Sequence, residues 1–242
     1  MKMTEIKKTV TYADVDYSGH LKMTTLFQIL TDLATQDAIK LGMWSIDMIK
    51  QYGWIVAKQT LTLDEPILLD DEIEIYTIAG KGTFVSFPRY YFIKKNGKEI
   101  GRISSIWTLL DLEKRSIVAP RRIGIRIPEP ISDKTIEKPH DIDMNIPFTF
   151  IGERKVLYSD VDTNQHMNNT RYIEWALDVL DFYIFQSNYI DKLTIHYKKE
   201  VQPLKTIQLY YGAKDDCYMI KGEVSNEEVF VIEFHFHNMK KI

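Results

Sequence analysis

The chain has 242 residues, 31 of them basic and 34 acidic, for a formal charge of −3, with 45% hydrophobic and 12% aromatic side chains, a globular composition that fits one large domain or two smaller ones. No stretch approaches the ~20 apolar residues of a membrane helix, and the N-terminus MKMTEIKKTVTYADVD lacks the apolar core of a signal peptide, so the expectation is a cytoplasmic protein with no membrane partner. The balanced charge gives no support to nucleic-acid binding, and the single Cys217 excludes an internal disulfide and a cysteine-based zinc cluster.

In chain order, the first feature is residues 12–24, YADVDYSGHLKMT, a turn-rich polar segment. After it Leu26, Leu30, Leu33, Ala34 and Leu41 recur at helical spacing, Thr25 and Gln28 match a capping box, and Gly42 is a natural stop, which predicts a long amphipathic helix. Strand-like runs follow at 54–63, 72–78, 85–94 and 99–110, with Asn96-Gly97 as a hairpin turn between the last two. Five of the eight prolines (Pro120, Pro128, Pro130, Pro139 and Pro147) then fall within 28 residues of low periodicity, a linker signature. Divided after Pro128, the chain carries +3 in its first part and −6 in its second.

Residues 158–170, YSDVDTNQHMNNT, repeat the first motif, with Tyr12/Tyr158, Asp14/Asp160, Val15/Val161, Asp16/Asp162, His20/His166 and Thr24/Thr170 identical. The same kind of helical stripe follows at Ile173, Ala176, Leu177, Leu180 and Ile184, then shorter strands at 193–199, 206–213, 218–224 and 229–237. Each half therefore reads as a leading strand, a helix and an antiparallel meander, an α+β unit that occurs twice.

The segment SDVDTNQHMNNTRYIEW resembles the signature of acyl-acyl carrier protein thioesterases, and WIVAKQTLTLDEPILLDDEIEI and IHYKKEVQP resemble further family segments, in order. The resemblance implies two tandem hotdog domains, each a long helix wrapped by a curved antiparallel sheet: residues 1–128 with the acyl chain and a degenerate site, a connector at 129–147, and a catalytic domain at 148–242. It implies hydrolysis of a fatty acyl thioester on acyl carrier protein, without metal or bound organic cofactor, and leaves a homodimer open. Asp162, Asn164, His166 and Glu200 are the implied active-site residues. Plant members carry a cysteine after that glutamate; this chain has Val201, which removes a cysteine–histidine mechanism from that position.

The chemistry suits activated water. Glu200 or His166 can deprotonate it, Asp162 can orient the imidazole, Asn164 can orient water or substrate, and backbone N–H groups at 168–170 can meet the oxyanion. Asp, Asn and Thr before a helix are also what a turn and an N-cap require. Matching the halves places Ser18 opposite Asn164 and Pro66 opposite Glu200, so one site per chain is expected, in the second half. The first half holds 12 extra residues near MWSIDMIKQYGW, where Met43, Met48 and Trp54 are candidates to line an acyl tunnel, unless the segment is a short helix completing the core. Lys114, Arg115, Arg121, Arg122 and Arg126 form a candidate docking patch for an acidic carrier protein. Alternatives within the same architecture are an acyl-CoA thioesterase, a non-catalytic acyl-ligand protein and a hydratase. Glu233, His235 and His237 alternate along the last strand, a spacing better explained by a polar strand face than by metal binding.

Overall fold

A computed structural model describes residues 3–130 and 134–239. The first half runs through β1 (Thr4–Thr9), α1 (Met23–Lys40), a 3₁₀ turn (Ile46–Met48), β2 (Tyr52–Leu63), β3 (Glu72–Ala79), β4 (Phe87–Lys95), β5 (Lys98–Asp111) and the short β6 (Ser116–Ile117). The second runs through β7 (Thr149–Lys155), α2 (Asn169–Asp178), a 3₁₀ turn (Phe182–Gln186), β8 (Asn188–Tyr197), β9 (Thr206–Lys214), β10 (Cys217–Val224) and β11 (Glu227–Asn238). Every meander strand expected from the sequence is present, most of them longer by one to three residues.

All the described strands join one antiparallel sheet in the order β1-β3-β4-β5-β2-β8-β11-β10-β9-β7, with β6 on β5. The second half of this order mirrors the first. At the seam β2 pairs with β8 so that Lys58 faces His196, Thr60 faces Thr194 and Thr62 faces Lys192. Thr60 and Thr194 are equivalent in the two halves, and their hydroxyls lie 3.1 Å apart, which places a pseudo-twofold axis between them.

The helices lie against this sheet and against each other. Leu26, Phe27, Leu30 and Leu33 of α1 are almost fully buried, as are Tyr172, Ile173, Trp175 and Ala176 of α2, in one apolar cluster that draws on both halves. At ~1.5–3 kcal/mol for each large apolar side chain, this shared core dominates the stabilisation.

The helix ends differ from expectation. Helix α1 begins three residues early, with Lys22 rather than Thr25 at its N-cap and no side-chain cap, and Thr25 and Gln28 lie inside it, Gln28 bonding Asp32 instead. Its C-terminus is the expected stop: Gly42 adopts φ +70°, and the Met43 and Gly42 N–H groups close onto the Ala38 and Ile39 carbonyls. Helix α2 is only ten residues long, because Asp181 accepts from the Tyr183 N–H and starts a separate 3₁₀ turn before Ile184.

The proline-rich connector is a strap across the outer face of the sheet. Lys134 bonds Tyr76 and Glu99, His140 N–H donates to Thr60 Oγ1 (2.9 Å), His196 Nε2 donates to the His140 carbonyl (2.9 Å), and Asp141 pairs with Lys58. Its far end lies at β9, where Ile146 and Pro147 pack beside Gly212 and leave no room for a Cβ.

Candidate active site

The repeated motif folds the same way twice, and its shared residues explain why. In the second half Asp160 accepts from the Leu157 N–H, and Asp162 Oδ1 accepts from the N–H groups of Asn164 (2.8 Å) and His166 (3.5 Å). In the first, Asp14 accepts from Thr11, and Asp16 Oδ1 accepts from Ser18 (2.8 Å) and His20 (3.1 Å). These carboxylates hold the loop whether or not chemistry follows.

The loop is then docked on the segment after the next seam strand. The Met167 N–H donates to the Val201 carbonyl (2.8 Å) and the Leu21 N–H to the Ile67 carbonyl (2.8 Å). The residue before each acceptor is Glu200 in one half and Pro66 in the other, as matching the halves by sequence requires. Val201, at the position of the plant cysteine, is 3% exposed and belongs to the core.

His166 and Glu200 come together, with Nε2 3.8 Å from Oε2. Arg115, from the turn between β5 and β6 in the first half, pairs with Glu200 Oε2, and its Nη2 lies 3.3 Å from His166 Nε2. Burial pushes the His166 pKa down and the Arg115 charge pushes it further, against opposing effects from Asp162 and the Asn164 backbone. His166 Nδ1 is buried with no hydrogen-bond partner among the described residues. Of the backbone donors expected at 168–170, the Asn168 N–H is spent on the Asp160 carbonyl and the Thr170 N–H on the Asn168 side chain, which caps α2. Among the described residues the Asn169 N–H has no such partner.

Beside the loop opens a cavity of about 340 Å³. One wall is Asp162, Thr163, Asn164 and Asn168. The rest comes from the first half: Gln28, Thr31, Thr35 and Ala38 along α1, then Met43, Trp44, Trp54, Phe87 and Trp107. Met43 and Trp54 are among these lining residues, with Trp54 Nε1 donating to the Met43 carbonyl (3.3 Å). Met48 does not line it and packs on the cluster of Ala38, Met43, Leu109 and Ile125 instead. A feature with no local sequence signal is Arg89 in the wall, paired with Asp37 of α1 at 2.7 Å with both side chains buried.

A second cavity, about 240 Å³, uses the equivalent elements in exchanged roles: Asp16, His20 and Lys22 from the first-half loop, Leu177 and Phe185 from the second half. Here Tyr17 stacks on Phe182 (4.3 Å), its hydroxyl donates to the Phe182 carbonyl, and Ser18 Oγ donates to the Phe185 carbonyl (3.0 Å). The turn after α2 is thereby clamped onto the first-half loop.

Arg121, Arg122 and Arg126 stay at the surface, apart from the Arg115–Glu200 pair. Arg121 lines a groove with Lys81 and Phe84 that shares Phe87 and Ile127 with the cavity beside the second-half loop, and Arg122 lies over the Phe84 ring.

Among the described residues one group has metal-ligand spacing: Cys217, Glu233 and His235, whose donor atoms lie within 4.8 Å of one another. His140 and Lys192 approach the same Glu233 oxygen at 3.7 and 3.9 Å, so the carboxylate charge is already met, and burial with the neighbouring Glu233 charge pushes the Cys217 thiol up to about 12. These residues line neither cavity and tie the strap to the sheet. His237, aligned with Glu233 and His235 in the sequence, lies tilted against the Tyr189 ring instead.

Paired α+β halves, each with a helix against a shared antiparallel sheet, and a polar loop beside a cavity between them, define a tandem hotdog protein. Family models for the acyl-ACP thioesterase N-terminal domain and C-terminal domain match residues 2–121 and 149–237, and the chain belongs to the acyl-ACP thioesterase family. A chloroplastic acyl-[acyl-carrier-protein] hydrolase of Cuphea viscosissima is 25% identical over 75% of this chain and 46% of its own length. A dodecanoyl-[acyl-carrier-protein] hydrolase of Cinnamomum camphora is 22% identical over 61% and 41%. The chain thus spans less than half the length of these curated relatives. Among solved structures, an acyl-ACP thioesterase from Bacteroides thetaiotaomicron superposes with a TM-score of 0.80 at 20% identity, over 97% of this chain and 98% of that one. The 12:0-ACP thioesterase from Umbellularia californica gives 0.81 at 16% identity, over 98% and 97%. These similarities carry the fold.

Proposed function

We propose that the protein hydrolyses the thioester of fatty acyl-acyl carrier protein in the cytoplasm, releasing free fatty acid and carrier protein. The observation that carries this reading is the cavity along α1, lined by Met43, Trp44, Trp54, Phe87 and Trp107, one wall of which is the loop of Asp162 and Asn164 that also carries His166. The acyl chain lies in the first-half cavity and the thioester carbonyl sits at the loop. Water adds its oxygen to the carbonyl carbon and loses a proton to the His166–Glu200 pair, and the Asn169 N–H and the Asn164 amide meet the oxyanion and the water. Collapse of the adduct breaks the C–S bond, and the proton returns to the departing sulfur as thiol.

Asp162 serves by holding the loop that aims His166. The first-half loop keeps its fold through Asp16 but lacks the amide and the second carboxylate, so one site per chain operates. Arg121, Arg122 and Arg126, on the turn that borders the cavity, supply positive potential for an acidic carrier protein, an effect on encounter rate more than on affinity.

The same water chemistry serves a coenzyme A thioester, so the deciding experiment is steady-state kinetics on matched acyl chains carried by acyl carrier protein and by coenzyme A, across saturated, unsaturated and branched chains. Higher kcat/KM on the carrier protein is expected. Equal or higher kcat/KM on coenzyme A transfers the assignment to that carrier, and tight acyl binding without turnover of either replaces hydrolysis by ligand binding.

A further inference from the structure

Arg115 was expected at the surface with the other arginines and is found instead in the second-half site. The turn that carries it is fixed from below: Asp111, 4% exposed, accepts from the Glu113 and Lys114 N–H groups through Oδ1, and Arg115 takes φ +52°, a left-handed conformation a few per cent of non-glycine residues adopt. β6 then pairs back on β5 through Leu110–Ile117 and Asp111–Ser116. The backbone is thus held so that the guanidinium reaches across to the other half of the molecule.

What it touches there constrains the chemistry. A guanidinium only donates hydrogen bonds, so the contact from Nη2 to His166 Nε2 at 3.3 Å requires a lone pair on Nε2 and places the ring proton on Nδ1. The same Nη2 pairs with Glu200 Oε2, which occupies that oxygen. The charged groups facing His166 are Arg115, Asp162 and Glu200, and Arg115 is the cation among them.

We propose that Arg115 is a positioning residue of the second-half site: it ties down Glu200 and presents the His166 Nε2 lone pair, which makes His166 the base that takes the proton from water. This rests on the hydrolase reading above. In the reaction the incoming water replaces the long Arg115 contact on Nε2, the Arg115–Glu200 pair remains, and the imidazolium that forms is met by Glu200, 3.8 Å away, until it returns its proton to the leaving sulfur. Burial first, and the Arg115 charge added to it, raise the cost of a proton on His166 before substrate arrives and keep the base free at lower pH than an exposed histidine would be.

The test compares the wild type with Arg115→Gln and Arg115→Lys by two readouts: kcat and KM against pH on an acyl-carrier protein and on the N-acetylcysteamine thioester of the same acyl chain, and the NMR titration of His166, assigned with His166→Gln. The Arg115→Gln protein is expected to lose about ten- to a hundredfold in kcat on both substrates, with its acidic limb and the His166 titration both moved to higher pH. Arg115→Lys, which keeps the charge but not the planar geometry, should restore the titration more fully than the rate. A loss confined to the carrier-protein substrate and to KM would make Arg115 a docking residue and overturn the proposal, as would an unmoved His166 titration. A wild-type protein that turns over no thioester sinks the hydrolase reading itself, and the titration, which needs no turnover, still decides whether Arg115 governs His166.

Discussion

Glu200 and Pro66 occupy equivalent positions in the two halves, each preceding the residue whose carbonyl receives the motif loop, Val201 for Met167 and Ile67 for Leu21. One fold thus presents a carboxylate beside its histidine on one side of the pseudo-twofold axis and a proline on the other. Replacing His166 or Glu200 with Ala should cost on the order of 10²–10⁴ in kcat with the circular dichroism spectrum unchanged. His20→Ala should leave kcat within about twofold, because Pro66 stands at the position that Glu200 holds beside His166; a folded His20→Ala protein without activity would end the one-site reading.

The loop carboxylates predict a separation of stability from catalysis. Asp16→Ala removes two backbone acceptor contacts and should lower stability by about 1–2 kcal/mol in urea unfolding while kcat is kept. Asp162→Ala should lower both. Equal kinetic losses in the two variants would show that the first-half loop is also catalytic.

Asp14 makes a pH-dependent contribution. Burial opposes its ionisation, but the Lys8 ammonium at 2.8 Å and the Thr11 hydroxyl and N–H outweigh this and hold the carboxyl at about 2. A carboxyl held below its unfolded value of about 3.9 contributes stability that is complete above that value and disappears as pH falls toward 2, here about 2 kcal/mol. Asp14→Asn should therefore be less stable at neutral pH and show a flatter dependence between about pH 4 and 2, as read by chemical denaturation at each pH.

Cavity residues should divide by what they touch. Met43 lines the cavity, so Met43→Ala is expected to shift the preferred acyl length, read from product profiles on a mixed acyl-carrier protein pool. Met48 lies in the packing behind it, and Met48→Ala should cost stability, about 1–3 kcal/mol for a half-buried side chain, with the profile preserved. An altered profile in Met48→Ala alone would reverse the assignment.

The surface arginines predict a salt-dependent effect. Arg121→Glu combined with Arg122→Glu should lower kcat/KM on the carrier-protein substrate about tenfold at low salt, with the difference fading as ionic strength rises past a Debye length of about 8 Å, and should leave the N-acetylcysteamine thioester untouched. Equal loss on both substrates would point to damage at the cavity instead.

Much of this protein is determined by local sequence. Strand alternation, the Asn96-Gly97 turn with both residues at positive φ, the Gly42 helix stop and the doubled motif depend on neighbours two to five residues away, and they survive into the folded chain. The offset between the repeats even places Pro66 against Glu200. Where local rules failed, a competing local bond explains it, as with Asp181 ending α2 and Lys22 standing where Asn168 caps its counterpart.

Tertiary structure decided what those elements face. Arg115 and Glu200 are 85 residues apart, and nothing in a run of Lys114, Arg115, Arg121 and Arg122 distinguishes the one that crosses to the other half. Cys217, His140 and Lys192 meet Glu233 only because β10, β8 and the strap converge on one strand of the sheet, and Arg89 reaches Asp37 only once β4 and α1 enclose the cavity. Periodicity specifies which face of an element is buried; which partner fills that face is set by the β2–β8 seam, which brings two halves of one chain into register about Thr60 and Thr194.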